Sequence, residues 1–188
     1  MTSELEAINQ ILSVIGESPV NTITDSQLPA DVTIAINILE EVNRAIQSEG
    51  WHFNTENKTL SPDGNNEILV PTNVLSIDSA KDEYQDIDPV EIDGKLYNYK
   101  KNSYTFTSKV KLEIIYKRTW DQLPEAFKDY IARVSGRKLQ MRVMGDRILN
   151  QELLRDEIIA KAKFIDYDSQ NADRTIFDDV SVAGVLNR

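Results

Sequence analysis

Cysteine is absent from all 188 residues, so neither a disulfide framework nor a thiolate metal site can form. Histidine occurs once, at His52, which leaves little material for a Ser-His or Cys-His catalytic pair. Glycine and proline are scarce, seven and six, and 40% of residues are apolar, the composition of a folded chain. No apolar run approaches the ~20 residues that span a bilayer, and MTSELEAINQ has no basic segment leading into an apolar one. These features are read as a soluble protein made in a cytoplasm, without membrane partners. Phosphate-binding loops of the GxxxxGK and GxGxxG types are missing, as are GxSxG and HExxH.

Positive charge is also short. Twenty-one Lys and Arg face thirty-one Asp and Glu, a formal net charge of −10, which argues against a general nucleic-acid binder. Acidic surfaces serve solubility, and they can also line a passage through which DNA slides without sticking.

What is present begins with the stretch LPADVTIAINILEEVNRAIQSEGWHF. Pro29 and Asp31 suit a first helical turn, and Gly50 supplies a left-handed stop. The helix from Ala30 to Glu49 would be about 30 Å long. Val32, Ala35, Ile36, Leu39, Val42 and Ile46 share one face, and Ile34, Ile38 and Ala45 lie on a second. A helix with two apolar faces has two neighbours, and one of them can be another subunit. Upstream, Ser3 and Glu6 have capping-box spacing and open a helix carrying Leu5, Ile8, Leu12 and Ile15, ended by Gly16. GESPVNTITDSQ connects the two as an antiparallel pair.

From Trp51 to about Arg118 the pattern turns to short runs, EILV, VLSI, KLYNY and SYTF, broken by SPDGNN and IDGK. VKLEIIYKR is the best strand: Val110, Leu112, Ile114 and Tyr116 alternate with Lys111, Glu113 and Lys117, and Ile115 breaks the pattern. The middle of the chain thus reads as a small antiparallel β lobe. Its acidic run from Asp78 to Asp93 does not match EF-hand spacing and reads as a solvated loop, not a metal site.

A third helix begins near Pro124, with Phe127, Tyr130, Ile131, Val134 and Met141 on one face. Arg133, Arg137, Lys138 and Arg142 flank it, either to meet phosphates or to pair with acidic neighbours along the edge of a bundle. Gly136 inside this helix implies a close helix approach. The last helix, about Leu149 to Tyr167, puts Leu149, Leu153, Ala160, Phe164 and Tyr167 on one face and Leu154, Ile158 and Ile165 on another. The tail then carries Ile176, Phe177, Val180, Val182, Val185 and Leu186 without helical period, which reads as an arm that docks on a partner.

The fold class is therefore α+β: helices at 1–50 and 119–170, a β lobe at 51–118 and a C-terminal arm at 171–188. No catalytic, cofactor or metal constellation is found. The candidate interface is Ile34, Ile38, Leu154, Ile158, Ile165, Ile176, Phe177, Val185 and Leu186.

Four stretches, AINQILSVIGESPVNTI, ILEEVNRAIQSEGWHFN, IIYKRTWDQLPEAFKDYI and the terminal VAGVLNR, carry a further signal. With this order of elements the chain resembles the tail tubular protein A family of short-tailed bacteriophages, the adaptor or gatekeeper proteins. IGESP and SEGWHFN are the most specific parts, and 60–106 carries little of the resemblance. The resemblance implies a four-helix bundle carrying the β lobe, assembled as a dodecameric ring. The bundle would face the phage portal protein and the lobe the nozzle, tail tubular protein B. Viral DNA would pass through the channel without sequence-specific binding. No enzyme activity and no cofactor are implied. Two other function classes compete: a glycan hydrolase acting on the host envelope, and an acidic DNA mimic binding a host protein. Turnover of envelope polysaccharide abolished by one carboxylate substitution would mark the first, and tight binding of a monomer to a host DNA-binding protein the second.

Overall fold

The computed structural model describes residues 2–25, 27–80 and 86–172. They comprise four α-helices and small antiparallel sheets in two compact units, one of residues 2–43 with 120–172, the other of 44–119. The chain is thus mixed α+β.

In the first unit, α1 (Glu4–Ser13) starts on a capping box: Glu6 N–H donates to Ser3 Oγ at 3.1 Å, and Ser3 N–H donates to the Glu6 carboxylate at 2.7 Å. Two orphan helix donors are satisfied this way. Gly16, at φ +78°, reverses the chain. Asn9 then ties down the connector, accepting from Val20 N–H at 2.8 Å and donating to Val20 O at 2.9 Å.

The helix α2 (Ala30–Gln47) runs on into the second unit. Its buried residues Val32, Ala35, Ile38, Leu39, Val42, Asn43, Ile46 and Gln47 cover about half the helix circumference. That arc is wider than the face expected from sequence, and Ile38 falls inside it.

The helix α3 (Glu125–Val143) buries Phe127, Tyr130, Ile131, Val134 and Leu139. A Cβ on Gly136 would lie 3.1 Å from Val14 Cγ2, so the mid-helix glycine does mark a close approach, to the end of α1. Met141 is exposed, contrary to expectation, because it lies past the last buried turn of α3. Lys128 is buried. Its ammonium lies 3.2 Å from Glu125 Oε1 and 5.8 Å from the Trp120 ring centroid, so the charge stays paired where its stem is covered.

Gly145, at φ +67°, turns the chain into α4 (Arg147–Asn171). Asp146 caps it, Oδ1 accepting from Ile148 N–H at 2.8 Å and Leu149 N–H at 3.1 Å. Phe164 packs edge-on to Phe127, centroids 5.0 Å apart, and stacks on Tyr130 at 6.0 Å. Tyr167, expected on this buried face, is exposed, and Asp168 takes the inner position one residue later.

In the second unit β5 (Val110–Tyr116) is central, paired antiparallel to β1 (Thr55–Leu60) and β2 (Val74–Ser79). Val110, Leu112, Ile114 and Tyr116 are all buried, as their alternation predicts, in a cluster with Ile68, Val70, Leu96 and Phe106. Ile115, the exception, sits over Gly50, where a Cβ would lie 2.7 Å from its Cδ1. A hairpin, β3 (Pro89–Ile92) and β4 (Lys95–Asn98), turns at Asp93 and Gly94, both at positive φ as a two-residue hairpin turn requires. EILV and SYTF contribute only isolated bridges, through Leu69 and Ser103.

A buried amide knot joins the helix end to the sheet within this unit. Asn54 Nδ2 donates to Gln47 O at 2.9 Å and Tyr116 O at 3.1 Å, and its Oδ1 accepts from Trp51 N–H at 2.8 Å. Gln47 closes the pair with Arg118: its Oε1 accepts from Arg118 N–H at 2.7 Å, and its Nε2 donates to Arg118 O at 3.2 Å. The distinctive SEGWHFN stretch is thus structural, and His52 within it is exposed.

Candidate assembly surface

The second face of α4 is the clearest free surface of the helical unit. Leu154, Ile158 and Ile165 recur at i, i+4 and i+11, within about 40° of arc, and they are 37%, 58% and 43% exposed. The inner face, Ala160, Phe164 and Asp168, lies about 100° round the helix. One helix therefore carries a packed stripe and an open one.

On α2 the outcome differs. Ile38 is 3% exposed, flanked one turn either way by buried Ala35 and Val42. It is a core residue of its own chain, and its candidacy as an interface residue is corrected accordingly. Ile34 is half-buried and Ala45 exposed. Ile176, Phe177, Val185 and Leu186 lie outside the described residues, as does the arm from 173 to 188.

Sequence reading missed an apolar tip where α3 turns into α4. Met141, Val143, Met144 and Ile148 are all exposed, Ile148 by 77%. The signal was available in VMGDRI: a glycine and a capping aspartate set apolar residues on a turn, where they have no inner face to join.

The basic residues of α3 are mostly committed. Arg133 donates to Asp129 at 3.0 Å and lies 3.7 Å from Asp156. Arg137 makes a fork to Glu157 at 2.6 and 3.2 Å, and the Glu157 carboxylate raises the guanidinium pKa further. Lys138 pairs with Glu41 at 3.2 Å. Of the two readings for these cations, pairing with acidic neighbours is the one the geometry supports; a free phosphate-binding row is not what these three make. A groove of about 190 Å³ lined by Asp129, Arg133, Asp156, Ile159, Ala160 and Lys163 holds charges of both signs.

A second surface, in the β unit, also escaped the sequence reading. Tyr97 packs against Tyr99 (5.5 Å) and Tyr104 (4.8 Å), and the last two rings are exposed. Asn98, buried beneath them, accepts from Asp88 N–H at 3.2 Å and Lys100 N–H at 3.1 Å, fixing the loop that follows β4. From Lys95 to Leu112 there are five lysines and no carboxylate, an island of positive charge in an acidic chain. Of the acidic run before it, Asp78, Asp86, Asp88, Glu91 and Asp93 are exposed, and 81–85 lie outside the described residues.

No helix among the described residues is long and apolar enough to cross a membrane. The sequence profile of the tail tubular proteins matches residues 5–174. Tail tubular protein A of Klebsiella phage KP34 is 30% identical over 143 residues, 76% of this chain and 74% of that protein. The match takes in all four helices and the β strands between them, and by it the chain belongs to the tail tubular protein family, structural components of the phage tail.

Proposed function

We propose that this chain is a non-enzymatic adaptor of a short phage tail. It assembles as a dodecameric ring between the portal protein and the nozzle, tail tubular protein B, seals the joint and admits the genome. The four helices form one bundle that carries the β lobe, with the bundle toward the portal and the lobe toward the nozzle. Synthesis takes place in the bacterial host cytoplasm, and the mature protein resides in the virion.

The observation that carries this reading is the open stripe on α4. Three branched apolar side chains at helical spacing, exposed on a helix already packed on its other side, are what an assembling subunit presents. Family membership supplies the tail context. The acidic balance agrees with a channel that does not hold DNA, because like charge suppresses adhesion.

Sedimentation velocity of the chain, alone and mixed with the portal ring of the same phage, tests the proposal. One large complex at a saturating ratio is expected, and the ratio gives the copy number. A chain indifferent to the portal would remove the adaptor assignment. Reproducible turnover of envelope polysaccharide, abolished by one Asp or Glu substitution, would overturn the non-enzymatic part.

A further inference from the structure

We propose that the Leu154–Ile158–Ile165 stripe of α4 is the docking site for residues 173–188 of a second copy of this chain. Each subunit would lay its C-terminal segment on the α4 of its neighbour. The inference rests on the assembling-adaptor reading and names the occupant of the surface that reading needs.

Reach allows it. The segment begins two residues after the last residue of α4, Asn171, and its sixteen residues span about 50 Å when extended. The stripe from Leu154 to Ile165 is about 17 Å long. Fewer than half the residues of the segment would cover it, and the rest can bridge the gap between subunits.

Chemistry allows it too. Ile176, Phe177, Val180 and Val182 match the branched apolar side chains of the stripe. Beside the stripe stands Lys161, exposed and without an ion pair among the described residues. Asp178 and Asp179 lie between the two apolar pairs of the segment, where they can meet that ammonium.

Symmetry favours a neighbour as the host. Donor and acceptor are different surfaces of one chain, so the contact is heterologous, the type that propagates head to tail and closes into a ring. A stripe that met a copy of itself would instead stop at a two-fold dimer.

The absence of native cysteine makes the test clean. Ile158→Cys and Val180→Cys (or Val182→Cys) are each prepared alone and combined as a double variant in the full chain. Each variant is oxidised mildly and run on a non-reducing gel, after circular dichroism has shown wild-type helix content. The expected result is a ladder of linked subunits from a double variant, and a linked dimer when the two single variants are mixed. Neither single variant should link to itself. A faster-running monomer with an internal link would place the segment on its own α4, and an Ile158→Cys homodimer would place stripe on stripe. Either result, or no link at any concentration, overturns the proposal. Portal binding is scored separately: an unlinked chain that still forms the portal complex sinks this inference and leaves the adaptor reading standing.

Discussion

Asn54 shows how much one buried side chain can hold. It makes three hydrogen bonds to backbone groups at the end of α2, at Trp51 and at the end of β5. Replacing it by Ala strands those groups away from water, at about 1–3 kcal/mol for the first unsatisfied group alone. Asn54→Ala is therefore expected to lower stability by roughly 3 kcal/mol, read as a lower urea midpoint with an unchanged slope. Gly50 is a different case. An alanine there meets Ile115 Cδ1, the movable end of a side chain, but it also inherits φ +78°. Gly50→Ala should cost about 1–2 kcal/mol, and adding Ile115→Val, which removes the clashing methyl, should restore little of it. Recovery to wild-type stability in the double variant would show that crowding, not backbone conformation, dominates.

Glu125 makes a pH prediction at the same scale. The Thr2 backbone N–H, 3.0 Å from Oε2, and then the Lys128 ammonium, hold its carboxyl down to about 2 from an ordinary 4.5. A folded pKa below the unfolded one means that the folded state binds fewer protons over this range. The contribution is complete above about pH 4.5 and is lost as pH falls toward 2. Glu125→Gln should flatten that part of the stability profile and leave the slope above pH 5 untouched. Equal slopes in both proteins between pH 2 and 4.5 would remove Glu125 as the source.

At the scale of elements, local chemistry sets the ends and neighbours set the faces. Ser3 with Glu6, Gly16, Gly50 and the Asp93–Gly94 turn are legible because each satisfies or reverses its own backbone. Asp146 belongs with them, although only the fold revealed α4 starting two residues ahead of Leu149. Asp146→Ala should destabilise by about 1 kcal/mol, measured by thermal melting. The alternation in β5 was legible for a similar reason, since period two leaves each side chain one face or the other. The β1 strand was not, because TENKTL has almost no apolar residue and holds its place by pairing with β5. Tyr167 and Met141 went astray for a third reason. A helical period of 3.6 does not say how far along the helix the neighbour extends.

For the whole molecule the informative contrast is Ile38 against Ile158. Both are isoleucines on the second face of a long amphipathic helix, and the sequence offers no way to rank them. Ile38→Asp buries a carboxylate in the core and is expected to unfold the chain at 25 °C or lower its melting point sharply. Ile158→Asp, at an exposed position, should keep the melting point within a few degrees while weakening assembly on the portal. Loss of fold in Ile158→Asp, seen by circular dichroism, would mean that α4 has no free face.

By itself the sequence determined the Ser3–Glu6 cap, the reversals at Gly16 and Gly50, the buried face of β5 and the family, because each depends on residues close along the chain. Only the tertiary structure decided that the covered arc of α2 takes in Ile38 and that the second face of α4 is open. It also decided that Arg133, Arg137 and Lys138 of α3 are paired and that three tyrosines meet around β4. Those outcomes depend on what lies across the helix or the strand. Burial is a property of two surfaces, and a periodic pattern describes one.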